Sequence, residues 1–123
     1  MSKKPSEFSH HIRREGNVVI VALRGHLDGF AAMELKPEID ELLSGGAMFV
    51  VFACRELSYT GLIGYQVVLT TAKKLQRRKG RFAMCDLAPD MKEIFQLAGR
   101  MNLDIPIFDS LDEALDAIRN DCK

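Results

Sequence analysis

Three hydroxyl side chains stand in a row at Ser58, Tyr59 and Thr60, directly before Gly61 and an apolar segment. A hydroxyl oxygen at the start of a helix can accept a hydrogen bond from backbone N–H groups that have no partner inside the helix. A phosphorylated hydroxyl suits the same place, because those N–H groups and the helix dipole favour an anion. The stretch therefore predicts either a structural cap or a phosphoacceptor, with Thr60 and Ser58 as the candidates for both roles.

The other residues of this stretch also have two interpretations each. Tyr59 is too long to place its oxygen where a serine oxygen would lie, so it is either an aromatic contact for a partner or a half-buried core residue. Gly61 and Gly64 would let another backbone approach the start of the helix. Close packing of this helix on a sheet explains the same two glycines equally well.

A second candidate is Asp28, in the stretch "GHLDG" that follows an apolar run. Its side chain can cap the helix that comes next. The sequence shows no carboxylate pair, Ser-His-Asp set or glycine-rich phosphate loop, so we predict no enzyme activity.

Metal and disulfide chemistry are not predicted either. Cys54, Cys85 and Cys122 are far apart and form no Cys-x-x-Cys pair, which favours reduced thiols acting as small apolar side chains. His10 and His11 are adjacent, so a strand would point them to opposite faces. We expect no metal site and no cofactor.

The composition favours one domain and a protein partner. The chain has 123 residues, 47% of them hydrophobic, and equal numbers of acidic and basic side chains. A neutral chain argues against a nucleic-acid or anionic-membrane partner. No stretch approaches the roughly 20 apolar residues of a membrane helix, and no signal peptide is evident, so we expect a cytoplasmic protein without membrane insertion.

Patterning predicts an α/β domain. Two strands at 8–15 and 18–25 are separated by a Gly-Asn turn and should form a hairpin. Strand and helix patterns then alternate to the end of the chain, which indicates a mixed, mostly parallel sheet with about four helices. The further strand patterns cover 47–54, 81–87 and 105–108, and the helical patterns cover 31–46, 61–80, 88–99 and the residues from 110 onward.

Two of these helices raise specific expectations. Pro37 lies inside the first helical pattern, so that helix should either start late or bend there. The helix at 61–80 is apolar almost all round in its front half, so that half should be largely buried. Its last turns carry a cluster of bases, which is either a solvated helix end or a patch for an anionic ligand: Lys73, Lys74, Arg77, Arg78 and Lys79.

Binding sites of parallel sheets lie at the carboxyl ends of the strands. The loops expected there are "GHLDG" at 25–29, "CRELSYTG" at 54–61 and "DLAPD" at 86–90. Both hydroxyl candidates and Asp28 fall on these loops, so the sequence places its candidate residues at one edge of the sheet.

The run "VVIVALRGHLDGFAAMELKPEIDELL" resembles the opening of STAS domains, the fold of bacterial anti-sigma factor antagonists. "MNLDIPIFDSLDEALDAI" is similar to their ending. The resemblance spans roughly 8–118 and implies a STAS-like domain at 8–120 after a flexible N-terminal segment at 1–7. It also implies that Asp28 matches a family aspartate that faces a partner kinase.

The opening stretch departs from the family pattern. In the antagonists, an Asp-Ser-Ser/Thr-Gly-Leu motif carries a serine that is phosphorylated by a kinase, which is also the anti-sigma factor. Aligned on Gly61 and Leu62, Ser58 replaces the aspartate, Tyr59 the phosphorylated serine and Thr60 the next hydroxyl. In a second alignment, residues 57–59 match the step before the motif and the Asp-Ser pair is missing.

The resemblance implies a non-enzymatic regulator similar to an anti-sigma factor antagonist, with an altered phosphoserine motif. Its partner would be an anti-sigma factor of the serine-kinase type, bound through the 57–65 segment. The implied contacts are Asp28, Leu57, Tyr59, Gly61 and Leu62. Two alternatives stay open: a non-phosphorylated STAS subunit of a larger assembly, such as a lipid-transport ABC complex or a scaffold, and a module that binds a small ligand or nucleotide. The sequence leaves the oligomeric state undecided.

Overall fold

The computed structural model describes residues 8–97 and 105–121. Strands and helices follow one another in the predicted order. The strands are β1 (Ser9–Glu15), β2 (Val18–Leu27), β3 (Phe49–Thr60), β4 (Arg81–Cys85) and β5 (Ile107–Phe108). The helices are α1 (Gly29–Ser44), α2 (Leu62–Arg77), α3 (Pro89–Gln96) and α4 (Leu111–Asp121). The segment 1–7, the end of the predicted helix at 97–99 and Cys122 fall wholly or partly outside the described residues, and the domain limits at 8 and 120 stay predictions.

One mixed sheet organises the molecule. Its strands lie in the order β1-β2-β3-β4-β5. β1 runs antiparallel to β2, which confirms the hairpin, and all the other neighbours are parallel. The central strands β2, β3 and β4 are buried on both faces over 18–21, 50–52 and 82–85, as their nearly continuous apolar runs predicted, whereas β1 is largely exposed. No helix within the described ranges has the length and apolar character that crossing a bilayer requires.

The core has two layers, one on each face of the sheet. On one face, α1, α2 and α3 cover alternate residues of the central strands, including Val21, Phe52 and Met84. On the other face, α4 covers Ile20 and Val51. Alternation of side chains along a strand produces this division, since successive residues point to opposite faces.

Helix α1 corrects one expectation. It begins at Gly29, well before Pro37, so the late start is wrong. Asp28 caps this start with its side chain, which supplies an N-terminal signal that the proline does not override. Pro37 lies on the exposed side of the helix, where the carbonyl group that it leaves without a partner can bind water.

The stretch predicted as the loop "CRELSYTG" is strand from Cys54 to Thr60. β3 continues through Thr60 and stays paired with β2 up to the pair Leu27 and Thr60. Two register shifts accompany this extension, one between Ala22 and Arg24 and one between Gly25 and His26 of β2. Each shift gives β3 one extra residue, and such bulges redirect the side chains that follow. A loop was expected because the bulges interrupt the alternation of apolar and polar residues that marks a strand.

Candidate functional site

Helices α1 and α2 start side by side at the carboxyl ends of β2 and β3. One residue, Asp28, separates β2 from α1, and one residue, Gly61, separates β3 from α2. The Gly61 N–H donates to the Leu27 carbonyl oxygen at 2.9 Å, which ties the two junctions together. A Cβ atom on Gly29 would lie 3.5 Å from Ile63 Cδ1, so the first turns of the two helices are in contact distance.

Asp28 is the N-cap of α1. Its Oδ1 accepts a hydrogen bond from the Ala31 N–H at 2.9 Å, and its extended backbone is typical of a capping residue. The cap is the structural role that the sequence allowed for this residue. Because only one carboxylate oxygen is occupied by this bond, a partner could still approach the other.

We expect Asp28→Ala to lower the free energy of unfolding by about 1 kcal/mol, since it removes a side-chain N-cap. Asp28→Asn should stay close to the wild-type protein, because asparagine caps a helix equally well. Chemical denaturation of the three proteins measures both effects. Equal losses in the two variants would show that the charge, and not the hydrogen bond, matters for stability.

Neither Ser58 nor Thr60 caps α2, so the expected capping role is wrong for both. The N-cap is Gly61, which has no side chain to offer. The Ser58 hydroxyl donates to the Gly25 carbonyl oxygen across the strands at 3.1 Å, and it is exposed. The Thr60 hydroxyl points toward α3 and donates to Met91 Sδ at 3.6 Å. Both hydroxyl groups therefore donate hydrogen bonds to neighbouring elements at the end of β3.

Tyr59 lies on the surface of this junction, with 48% of its area exposed. Its ring is tilted over His26, with 5.4 Å between the ring centroids. A Cβ atom on Gly61 would lie 3.5 Å from the Tyr59 hydroxyl and 3.7 Å from Asp28 Cα. The structure therefore brings Asp28, Tyr59 and Gly61 together. From the sequence it was predicted only that their loops lie at the same edge of the sheet.

The remaining candidates divide between the interior and the surface. Leu57 is only 5% exposed and packs in the core, so it supports the surface from below and offers it no side chain. Leu62 is 73% exposed. A Cβ atom on Gly64 would lie 2.7 Å from Leu27, so close packing of the helix on the sheet accounts for this glycine.

Apolar side chains surround the starts of both helices and are open to solvent. We name this set the apolar corner; its members are Phe30, Met33, Tyr59, Leu62 and Ile63, with exposed fractions of 85%, 70%, 48%, 73% and 46%. The burial expected for the front half of α2 is therefore wrong at its first two residues. Phe30 and Met33 were not among the predicted site residues. Leu35 and Ile39 mark the buried face of α1, and Phe30 and Met33 lie on a different face of this helix. Their position on the helix, outside the buried stripe, is the signal that predicts their exposure.

Further along the helices, α1 and α2 enclose a groove of about 210 Å³ beside the apolar corner. Asp40 lines this groove. Its carboxylate oxygens form ion pairs with Lys36 Nζ at 2.9 Å and with Lys74 Nζ at 3.2 Å. Hydrogen bonds from these two ammonium groups hold the pKa of the Asp40 carboxyl below its ordinary value. The groove is therefore bridged by a charged triad that joins the two helices.

The two described cysteines are both buried. Burial raises the pKa of the Cys85 thiol to about 12, and it raises the pKa of Cys54 further. A thiol of this kind is almost entirely protonated at neutral pH and is a poor nucleophile. Neither cysteine contributes reactive chemistry to the candidate site.

Comparisons with known proteins place the fold. The family model of the STAS domain matches residues 10–114. BtrV of Bordetella bronchiseptica, provisionally assigned as an anti-sigma factor antagonist, is 28% identical over 102 residues, covering 83% of this chain and 87% of BtrV. The anti-sigma F factor antagonist of Paenibacillus polymyxa is 26% identical over 110 residues, covering 89% and 90%.

A solved structure shows the same architecture. An anti-sigma factor antagonist from Mycobacterium paratuberculosis superposes with a TM-score of 0.82 at 22% identity, covering 96% of this chain and 99% of that one. This likeness is one of fold, with the same mixed sheet and four helices. The family match over 10–114 shows that the chain belongs to the STAS domain family.

Proposed function

We propose that this protein is a non-enzymatic regulator in the cytoplasm, of the anti-sigma factor antagonist type. It binds a protein partner through the apolar corner, and the partner is an anti-sigma factor of the serine-kinase class. The observation that carries the proposal is the exposure of the large apolar side chains gathered around Asp28 and the start of α2. Exposed apolar side chains scattered singly are common, but a contiguous group of them marks an interaction surface.

The corner offers large exposed side chains, among them Tyr59, a residue type that is enriched at binding hot spots. Tyr59, Phe30 and Leu62 supply large apolar areas that a partner can remove from water, which favours association. Aromatic anchors of this kind dominate binding energies. Asp28 and the unpaired N–H groups at the start of α2 would supply polar contacts beside them.

Phosphorylation would act on the same surface. We keep Ser58 and Thr60 as the candidate acceptors, and Ser58 has the more exposed side chain. A phosphoryl group adds about −1.5 to −2 charges at neutral pH, which would disfavour docking of an apolar surface. Incubation with the anti-sigma kinase and ATP, followed by mass spectrometry of wild type, Ser58→Ala and Thr60→Val, tests this step. Phosphate on neither residue would remove the switch and leave docking intact.

Leu62→Asp should weaken binding of the anti-sigma kinase by about 30-fold or more, because a hot spot is worth about 2 kcal/mol. Isothermal titration calorimetry with the purified kinase measures the change. Ile94→Asp is the control, since Ile94 is also an exposed apolar residue, at 47%, but lies on α3, outside the apolar corner. A folded Leu62→Asp protein that binds like the wild type would contradict the proposal.

A second candidate function is a non-phosphorylated STAS subunit of a larger assembly. The observation that favours it is the engagement of both hydroxyls by neighbours, Ser58 with Gly25 and Thr60 with Met91, while a tyrosine occupies the place between them. Affinity purification from the native cells separates the two candidates. An ABC-type ATPase bound through Leu62 would support the assembly subunit, and a histidine-kinase-like ATPase would support the regulator.

A further inference from the structure

The charge of this neutral chain is distributed unevenly. The residues from Leu57 to Cys85 include no aspartate or glutamate. The same segment holds the basic side chains Lys73, Lys74, Arg77, Arg78, Lys79 and Arg81. It comprises the end of β3, all of α2 and β4, so the helix that begins at the apolar corner ends in a concentration of positive charge.

Two of these cations bind groups within the protein. Lys74 pairs with Asp40 at 3.2 Å, and Arg78 donates to the carbonyl oxygens of Leu43 at 2.7 Å and Ala47 at 3.3 Å. Lys73 and Arg77 differ from them. Both are exposed, and no carboxylate of the described residues lies within ion-pair distance of either. Their charge is therefore available to a partner.

Helical geometry puts these two cations in line with the apolar corner. The buried residues of α2, among them Val68 and Leu75, define its inward face. Leu62, Gln66, Lys73 and Arg77 follow at spacings of four, seven and four, which keeps them on the opposite side. We call these four residues the outer ridge of α2. At 1.5 Å per residue, Lys73 lies about 16 Å and Arg77 about 22 Å from Leu62 along the helix.

We propose that the outer ridge of α2 is a docking strip for a protein surface that pairs an apolar contact with acidic side chains. The partner places an apolar group on Leu62 and carboxylates about 16 to 22 Å away, against Lys73 and Arg77. The inference rests on the proposed function, because it extends the apolar corner and names the chemistry of what binds there. The apolar end of the ridge and the neutral charge of the whole chain favour a protein over a nucleic acid.

Complementary charge acts mainly on the rate of association, and salt screens it. With the anti-sigma kinase, Lys73→Glu/Arg77→Glu should lower the association rate constant about tenfold at low ionic strength, with little difference from wild type at high salt. Arg14→Glu/Arg24→Glu is the matched control. It changes the net charge equally, at two exposed arginines of the β1-β2 hairpin that have no ion pair among the described residues. Stopped-flow fluorescence measures the rates.

The variants separate the two proposals. If Leu62→Asp abolishes binding while the ridge and hairpin variants associate at the same rate, the docking strip is overturned and the proposed function stands. If the wild-type protein does not bind the kinase, the proposed function is overturned. A titration without the kinase then tests whether the outer ridge is a docking strip.

That titration uses ¹⁵N-labelled protein and a helical peptide of leucine and glutamate. Amide shifts along the outer ridge, lost with a glutamine version of the peptide and with Lys73→Glu/Arg77→Glu, would support the strip. Shifts elsewhere, no shifts, or stronger binding of a short DNA duplex to the same residues would overturn it.

Discussion

Phe52→Ala is expected to lower the free energy of unfolding by about 3 to 5 kcal/mol, the range for removing a large aromatic side chain from a core. Phe52 has no exposed area and lies in the centre of the sheet, on the face that α1, α2 and α3 cover. Its ring meets that of Phe82 edge-to-face, with 4.9 Å between the centroids. The substitution loses both the buried area and the ring contact, and it leaves a cavity. Urea denaturation followed by far-UV circular dichroism measures the loss.

Phe30→Ala makes the matched control for this experiment. The same side chain is removed, but Phe30 is 85% exposed, so its loss should change the free energy of unfolding by less than about 0.5 kcal/mol. This variant should instead weaken partner binding. A large loss of stability in Phe30→Ala would mean that the apolar corner is covered within the protein, which would contradict its role as a binding surface.

Gly64→Ala is expected to cost about 1 to 3 kcal/mol, as overpacking of a tightly packed site does. A methyl group there would lie 2.7 Å from both the Cγ atom and the carbonyl oxygen of Leu27. The carbonyl belongs to the backbone of β2 and cannot turn aside. The helix must therefore move away from the sheet at the position where the apolar corner is formed. Thermal unfolding and kinase affinity should both change in this variant.

The control for Gly64→Ala is Gly29→Ala, in the first turn of α1. A Cβ atom on Gly29 has its nearest neighbour at 3.5 Å, an ordinary contact with the flexible end of Ile63. Alanine also favours the helical conformation over glycine, so this variant should equal or slightly exceed the wild type in stability. If both variants lost stability equally, loss of glycine flexibility would be the cause, and the close contact with Leu27 would not matter.

The order of the elements and the two-sided burial of the central strands could be predicted from the sequence. Apolar runs such as that at 18–23, turn residues at 16–17 and spaced leucines in α1 are local signals, and each acts within one element. The parallel pairing followed from the alternation of strands and helices. The edge of the sheet that carries the candidate residues followed from the same topology.

The details of the site could not be predicted in this way. The extension of β3 to Thr60 depends on pairing with β2, some thirty residues away in sequence, and on two bulges that break the local alternation. The partner of the Ser58 hydroxyl is Gly25 on that neighbouring strand. Propensity alone favours serine as a cap, and the tertiary pairing overrode it.

The single-residue junctions at Asp28 and Gly61 have a consequence for the motion of this surface. A binding site on a long loop can open while the rest of a domain stays folded, and ordering it costs conformational entropy on binding. Here the first turns of α1 and α2 are joined to the two central strands without slack, and the Gly61 N–H is bonded to Leu27. The apolar side chains are held before any partner arrives, so binding should cost little backbone entropy. Exchange of the Gly61 amide, which is bonded to Leu27, should then occur mainly through unfolding of the whole domain.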